Sequence, residues 1–398
     1  MAVRKGFALV ACVAAGFGVA FAQSAETVQK TTPNLVQKQV DNTVRTKLPG
    51  TVHPLVARSV DQGQVNGSTA MQRMVLLLNR SETQQKALET LLGSMQDKSS
   101  PNFHKWLTPD DFGKQFGISD ADLGAVTGWL KSQGFTVSGV GRGRQWVEFS
   151  GNAAQVKLAL GTEMHTLRYK GEQHLANVSA VSVPEALAPA VRGVLSLNDF
   201  YKKGHLQNLR SVSRNKDGQW TAVPAKQAAT GGALQPDLTF DTGSNGEGVI
   251  YALAPGDLST IYNTAPLLKN GTNGSGVKIA IVGRSDIQIT DIETYRQIFG
   301  LTSQDPLVIT NGVDPGDVAN DDVESTLDVE AVSALAPNAT IEFVQSSSTN
   351  TTDGVDLSAL YIVDNLLAPI MSTSYGACEA ALGTAGNAFY SELWEVRL

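Results

Sequence analysis

Past His205 the chain has no histidine, and all 398 residues hold only five histidines and two cysteines. A hydrolase that activates serine through imidazole therefore cannot take its base from residues 206–398. If a proton is moved there, a carboxylate must move it. His53, His104, His165, His174 and His205 lack metal-ligand spacing, so no metal site is read from them. Cysteine is too scarce for a disulfide scaffold. Once a leader containing Cys12 is removed, Cys378 stands alone and reads as a buried, inert thiol. Beyond the leader no run approaches the length of about 18 apolar residues that a spanning helix needs. Cations thin out toward the C-terminus: from Tyr251 onward they are Lys269, Lys278, Arg284, Arg296 and Arg397. A net charge of -7 argues against nucleic acid as a partner. The basic residues concentrate in the first half and around Lys202–Arg214, so the halves can dock electrostatically, in a way that weakens as carboxylates protonate.

What is present divides the chain. Residues 1–22 read as a secretory signal: Arg4 and Lys5, an apolar stretch from Gly6 to Val19, and the small-x-small site Ala20-Phe21-Ala22. This directs the protein to the extracellular space or periplasm, with no membrane partner after removal. Leu9-Val10-Ala11-Cys12 offers a lipoprotein alternative. Residues 23–52 read as a flexible lead, and 53–201 as a compact α+β unit. Strands are expected at Met74–Leu78, Phe135–Val137, Trp146–Phe149 and Met164–Tyr169, and helices at Glu82–Leu92 (capped by Ser81), after Asp120, and at Ala153–Leu160. Residues 202–246, poor in apolar anchors, read as an exposed, cleavable linker. From 247 to 398 the pattern turns to strand-helix-strand, predicting a doubly wound parallel sheet. Its expected strands are Val277–Val282, Leu307–Ile309, Thr340–Gln345 and Ile370–Ser374, and its helices Asp291–Phe299, Asp322–Leu335, Val355–Leu366 and Ala385–Trp394.

Within Asp322–Leu335, Glu324 and Asp328 lie four residues apart, on one helix face. Two acids sharing a site push one pKa up, which suits proton transfer. Spacing by itself favours a blander reading, a solvated acidic face where Asp321, Asp322 and Glu324 meet the helix dipole. The glycines of Asn270–Gly276 precede a strand instead of following it, so they read as a loop and not a phosphate cradle. Met371–Gly376 lacks the first glycine of a nucleophile elbow, so Ser374 is not read as a nucleophile.

Taken together, four segments resemble the sedolisin (kumamolisin-like, serine-carboxyl) peptidase family. They are Ser100–Pro109 with Phe112; Tyr251–Pro255 with Asp257-Leu258 and Ile261–Asn263; Glu324–Glu330; and Ser372-Thr373-Ser374-Tyr375-Gly376. The resemblance implies an activation prodomain over 53–201, ferredoxin-like in fold, and the N-terminal part of a subtilisin-like catalytic domain over 247–398. It implies Glu324 as general base, Asp328 as the group that orients it and holds a shared proton, and Ser372–Gly376 as the strand that pairs with a protein or peptide substrate. It also implies secretion, an acid optimum, and a prodomain that masks the cleft until acid triggers its removal. The family's oxyanion aspartate and serine motifs are not found, so no nucleophile is assigned, and the sequence reads as a truncated, inactive form of such a precursor. No cofactor is assigned; calcium is expected for complete members, but its ligands are not found here. The alternatives left open are a non-catalytic secreted protein whose prodomain binds or inhibits peptidases, and a secreted binding module of other ancestry.

Overall fold

The protein is described by a computed structural model for residues 32–204, 212–214, 220–222, 238–241, 249–301 and 304–396. The expected signal segment and His205 lie outside these residues, as does most of the expected linker.

The first half contains, in chain order, β1 (Arg45–Lys47), β2 (Val60–Gln64), β3 (Ala70–Leu78), α1 (Glu82–Gln96), α2 (Pro109–Phe116), α3 (Asp120–Ser132), β4 (Thr136–Val140) and β5 (Trp146–Asn152). There follow α4 (Ala153–Gln155), β6 (Met164–Tyr169), β7 (Glu172–Asn177), β8 (Ser182–Pro184), β9 (Val191–Val194) and β10 (Lys203–Gly204). An antiparallel sheet in the order β4-β5-β3-β9 is joined by a three-stranded sheet, β2-β6-β7. α1 begins where a capping box sets it: Gln84 N–H donates to the Ser81 hydroxyl, and Ser81 N–H donates to the Gln84 amide oxygen. α3 is capped by Ser119, and Asp120 is its first residue. α4 continues as a π-helical turn over Val156–Leu160 that stops at Gly161, where φ is 64°. α2 has no counterpart among the expected helices, because its acids and lysine obscure the buried pair Phe112 and Phe116.

The flexible lead expected over 23–52 does not hold for its described part. β1 pairs with β8, Leu48 N–H donates to Val181 O, and Val181 N–H donates to the Thr51 hydroxyl. Leu35 and Val36 donate their backbone N–H groups to Asp122. The segment is ordered by scattered anchors such as Leu48 that follow no period, so periodicity could not find it.

The linker span carries β11 (Val212–Arg214), β12 (Trp220–Ala222) and β13 (Leu238–Asp241), which with β14 (Val249–Ala252) form a four-stranded sheet. Then come α5 (Pro255–Ile261), α6 (Ala265–Lys269), β15 (Lys278–Gly283), α7 (Ile289–Phe299), β16 (Leu307–Thr310) and α8 (Asp321–Leu335). The described chain ends with β17 (Thr340–Gln345), α9 (Gly354–Asp364), β18 (Ile370–Ser372), β19 (Tyr375–Gly376) and α10 (Glu379–Glu395), the last kinked at Gly383. β16-β17-β15-β18 form an all-parallel sheet. One face packs Ile281, Ile341 and Phe343 against Ile292 of α7 and Val329 of α8. The other packs Ala280, Val282 and Val344 against Val355 and Ile362 of α9 and Phe389 and Leu393 of α10. That second core also takes in Val75, Leu77, Leu88, Phe112 and Phe116 of the first half, so the two halves share buried apolar surface. The first half keeps a separate core around Met74, Leu130, Phe149 and Leu160.

Candidate active site

The site grows from α8, which follows β16 and opens at Asn320 in a left-handed conformation. Along this helix the ordinary polarity is inverted. Glu324 and Asp328 are 5% and 9% exposed, whereas Val323 and Leu327 are 37% and 44% exposed. The solvated acidic face favoured by spacing is therefore not what α8 presents. Asp328 Oδ1 accepts a short hydrogen bond of 2.5 Å from the Ser374 hydroxyl, and its Oδ2 is buried with no hydrogen-bond partner among the described residues. Burial pushes the Asp328 carboxyl up to about 6, against the opposing pull of the Ser374 hydrogen bond. Two residues on, burial and the charge of Asp291 on α7 push Glu330 up to about 8.

Around this helix lies a chain of charges that no local pattern in the sequence signals. Arg284, just past β15, donates through Nε and Nη2 to the two oxygens of Asp321 at 2.8 and 3.0 Å, and through Nη1 to Asp353 at 3.1 Å. Its guanidinium lies 4.8 Å from the Tyr375 ring centroid. Asp353 caps α9 by accepting from Val355 N–H. Lys202 Nζ donates to Asp356 at 2.9 Å and lies 3.2 Å from Asp353, while the Tyr390 hydroxyl donates to Asp356 at 2.7 Å. Burial alone would raise Asp353, yet Lys202 and Arg284 hold it below its ordinary value. Burial raises Asp356 despite the pull of Lys202.

The candidate substrate strand is divided. Ser372 belongs to β18 and pairs with Ile281; Thr373 and Ser374 leave the sheet; Tyr375 and Gly376 form β19. The strand expected over Ile370–Ser374 thus ends at Ser372, and Ser374 turns toward Asp328. β19 pairs antiparallel with β10, in the register Lys203 to Gly376 and Gly204 to Tyr375. A Cβ on Gly204 would sit 2.5 Å from Glu324 Oε2, so a larger residue here would require the Glu324 side chain to shift. The first residues of the expected exposed linker are therefore fixed at the site, and Lys202 is only 8% exposed.

One other expectation resolves differently. Cys378 is exposed, because it stands at the start of α10 and not within a core, so the buried-thiol reading is corrected. His165 faces Asp61 and Glu163, and His174 faces Asp199, both histidines being half-buried. Among the described residues, no group of three or more His, Cys, Asp or Glu side chains could hold a metal ion. No helix among them is long and apolar enough to cross a membrane.

Residues 57–200 match the family model of the pro-kumamolisin activation domain. The chain is 28% identical over 324 residues to sedolisin of Pseudomonas sp. (strain 101), covering 79% of this chain and 49% of that protein. It is 26% identical over 311 residues to xanthomonalisin of Xanthomonas sp. (strain T-22), covering 76% and 35%. It is 23% identical over 306 residues to kumamolisin of Bacillus sp. (strain MN-32), covering 75% and 49%. The chain thus spans about half the length, or less, of the curated relatives it matches. The activation-domain match ends four residues before Gly204, and the chain is similar to sedolisin-type peptidases over about three quarters of its length.

Proposed function

We propose that the chain belongs to a secreted serine-carboxyl endopeptidase acting in acid, with the first strand of its linker held in the substrate cleft. The observation that carries this is the passage of Gly204 over Glu324 while β10 pairs with β19. A peptide backbone in contact with a buried carboxylate, hydrogen-bonded along one strand, has the geometry in which a peptidase holds a polypeptide.

In this reading Glu324 takes the proton of a seryl nucleophile. Asp328, held up to about 6, carries a proton in acid and shares it with Glu324, so the buried pair need not bear two charges. Ser374 orients Asp328 through its hydrogen bond. A carboxylate base suits acid, where an imidazole would already be protonated. Ser372, Thr373, Ser374, Tyr375 and Gly376 supply the substrate-facing backbone, of which β10 now occupies Tyr375 and Gly376. No step is routed through calcium.

The test is digestion of a denatured protein by the gene product containing this sequence, assayed from pH 2 to 8. Glu324→Gln should abolish turnover while circular dichroism stays unchanged. Full activity in that variant contradicts the assignment.

A further inference from the structure

We propose that the pocket filled by Lys202 is a substrate subsite that selects a lysine or arginine side chain, two residues upstream of the residue lying over Glu324. This rests on the peptidase reading above and adds a substrate class to it.

The argument begins with alternation along an extended strand. Lys203 projects to solvent, with its side chain 77% exposed. Its neighbours Lys202 and Gly204 share the opposite face. Gly204 meets Glu324, and Lys202 enters the protein beside it. There its ammonium reaches Asp356 and Asp353 and lies 5.6 Å from the Tyr390 ring. The surrounding cavity has a volume of about 300 Å³ and is walled by Phe200, Thr352, Ala377 and Leu382. It opens beside the strand that β10 pairs with, so a bound polypeptide in the same register would carry a side chain into it.

Charge makes the pocket demanding. With Lys202 in place, Asp321, Asp353 and Asp356 are served by two cations. If the linker strand leaves, Arg284 still serves Asp321 and Asp353, and Asp356 loses its cation. Removing one partner of a buried ion pair is strongly unfavourable. The vacated pocket therefore favours a replacement cation on a flexible stem, and the aromatic face of Tyr390 favours a cation again. An acidic or apolar side chain would leave Asp356 buried with only the Tyr390 hydroxyl.

The test uses the full chain carrying Lys202→Ala and measures binding, not turnover. Two labelled, end-blocked pentapeptides are titrated by fluorescence anisotropy: Phe-Tyr-Lys-Lys-Gly, and the same peptide with norleucine replacing the first lysine. The lysine peptide should bind at least about tenfold tighter, and Lys202→Ala with Asp356→Asn should erase the difference. Equal affinities, binding of neither peptide, or a preference that survives Asp356→Asn each overturn the proposal. If Lys202→Ala does not fold, the otherwise native chain carrying Asp356→Asn replaces it, and trypsin cleavage after Lys202 and Lys203 is timed. It should be cut at least about tenfold faster than wild type; equal rates overturn the proposal. Lysine preference without hydrolysis by the gene product keeps the subsite and sinks the peptidase reading. Hydrolysis without lysine preference does the reverse.

Discussion

Asp328 is a carboxyl group buried beside a serine, and its protonation has a consequence for stability that can be measured. Its folded pKa of about 6 lies above the ordinary 3.8. The stabilisation it gives is therefore fully present below about pH 3.8 and is lost as pH rises through about 6. Asp328→Asn should leave the unfolding free energy unchanged at pH 4 and raise it at pH 8. The rise is at most about 3 kcal/mol, from the worth of roughly 1.4 kcal/mol per pKa unit. Guanidinium melts at the two pH values check this, and a loss of stability at pH 8 contradicts it. Glu330 titrates near 8 for the same reason, so Glu330→Gln should raise the melting temperature at pH 9 and leave it unchanged at pH 4. The four-residue spacing of Glu324 and Asp328 was legible in the sequence, but the direction they face was not. Val323 and Leu327 occupy the exposed face, so hydrophobic patterning pointed the helix the wrong way round. The partnership of Lys202 with Asp353 and Asp356 joins residues some 150 positions apart and has no local signature.

Among the elements, the parallel strands were the most legible. β15 carries the continuous apolar run Ile279–Val282 because both faces are covered, β17 is interrupted by the buried Glu342, and the ends of both agree with expectation to within a residue. β1, β8, β10 and β19 are two or three residues long, too short for any period to register. Their place is set by tertiary contacts, as the burial of Leu48 in the first-half core shows. Leu48→Ala should cost roughly 2–5 kcal/mol of unfolding free energy, as large-to-small changes in cores do; a loss under about 1 kcal/mol returns residues 32–52 to a flexible lead. At β10 the close approach of Gly204 to Glu324 means that a single methyl must displace the Glu324 carboxylate. Gly204→Ala should speed hydrogen exchange at the Tyr375 and Gly376 amides, and unchanged exchange there contradicts the pairing.

Across the whole molecule, the basic first half meets the acidic second half as charge distribution suggested. Arg80 pairs with Glu395, Arg192 with Glu392 and Lys202 with Asp353 and Asp356, while Arg142 donates to Asp364 and Arg73 to Asn311. These contacts do not respond to acid alike. Glu392 is pushed up to about 7 by burial, more than Arg192 and Arg80 pull it down, so the stabilisation it gives is present in acid and lost as pH rises through about 7. Asp353 is held low, so what it contributes is present above about pH 3.8 and lost as pH falls through its lower folded value. Acid should therefore loosen the Lys202 end of the interface first. Hydrogen exchange followed from pH 5 to pH 2 should show β10 and β19 opening before α10; the opposite order contradicts this assignment.

The claim on which the rest depends is that a coupled carboxylate pair, Glu324 with Asp328, is the base of an acid peptidase. The most direct measurement is the pH–rate profile of peptide cleavage by the gene product, compared with that of Asp328→Asn. The wild type should be active in acid and lose activity along a limb near pH 6, where Asp328 gives up its proton. Asp328→Asn should lower the rate in acid and remove that limb. An optimum at neutral or alkaline pH, or an identical limb in the Asp328→Asn variant, would contradict the account.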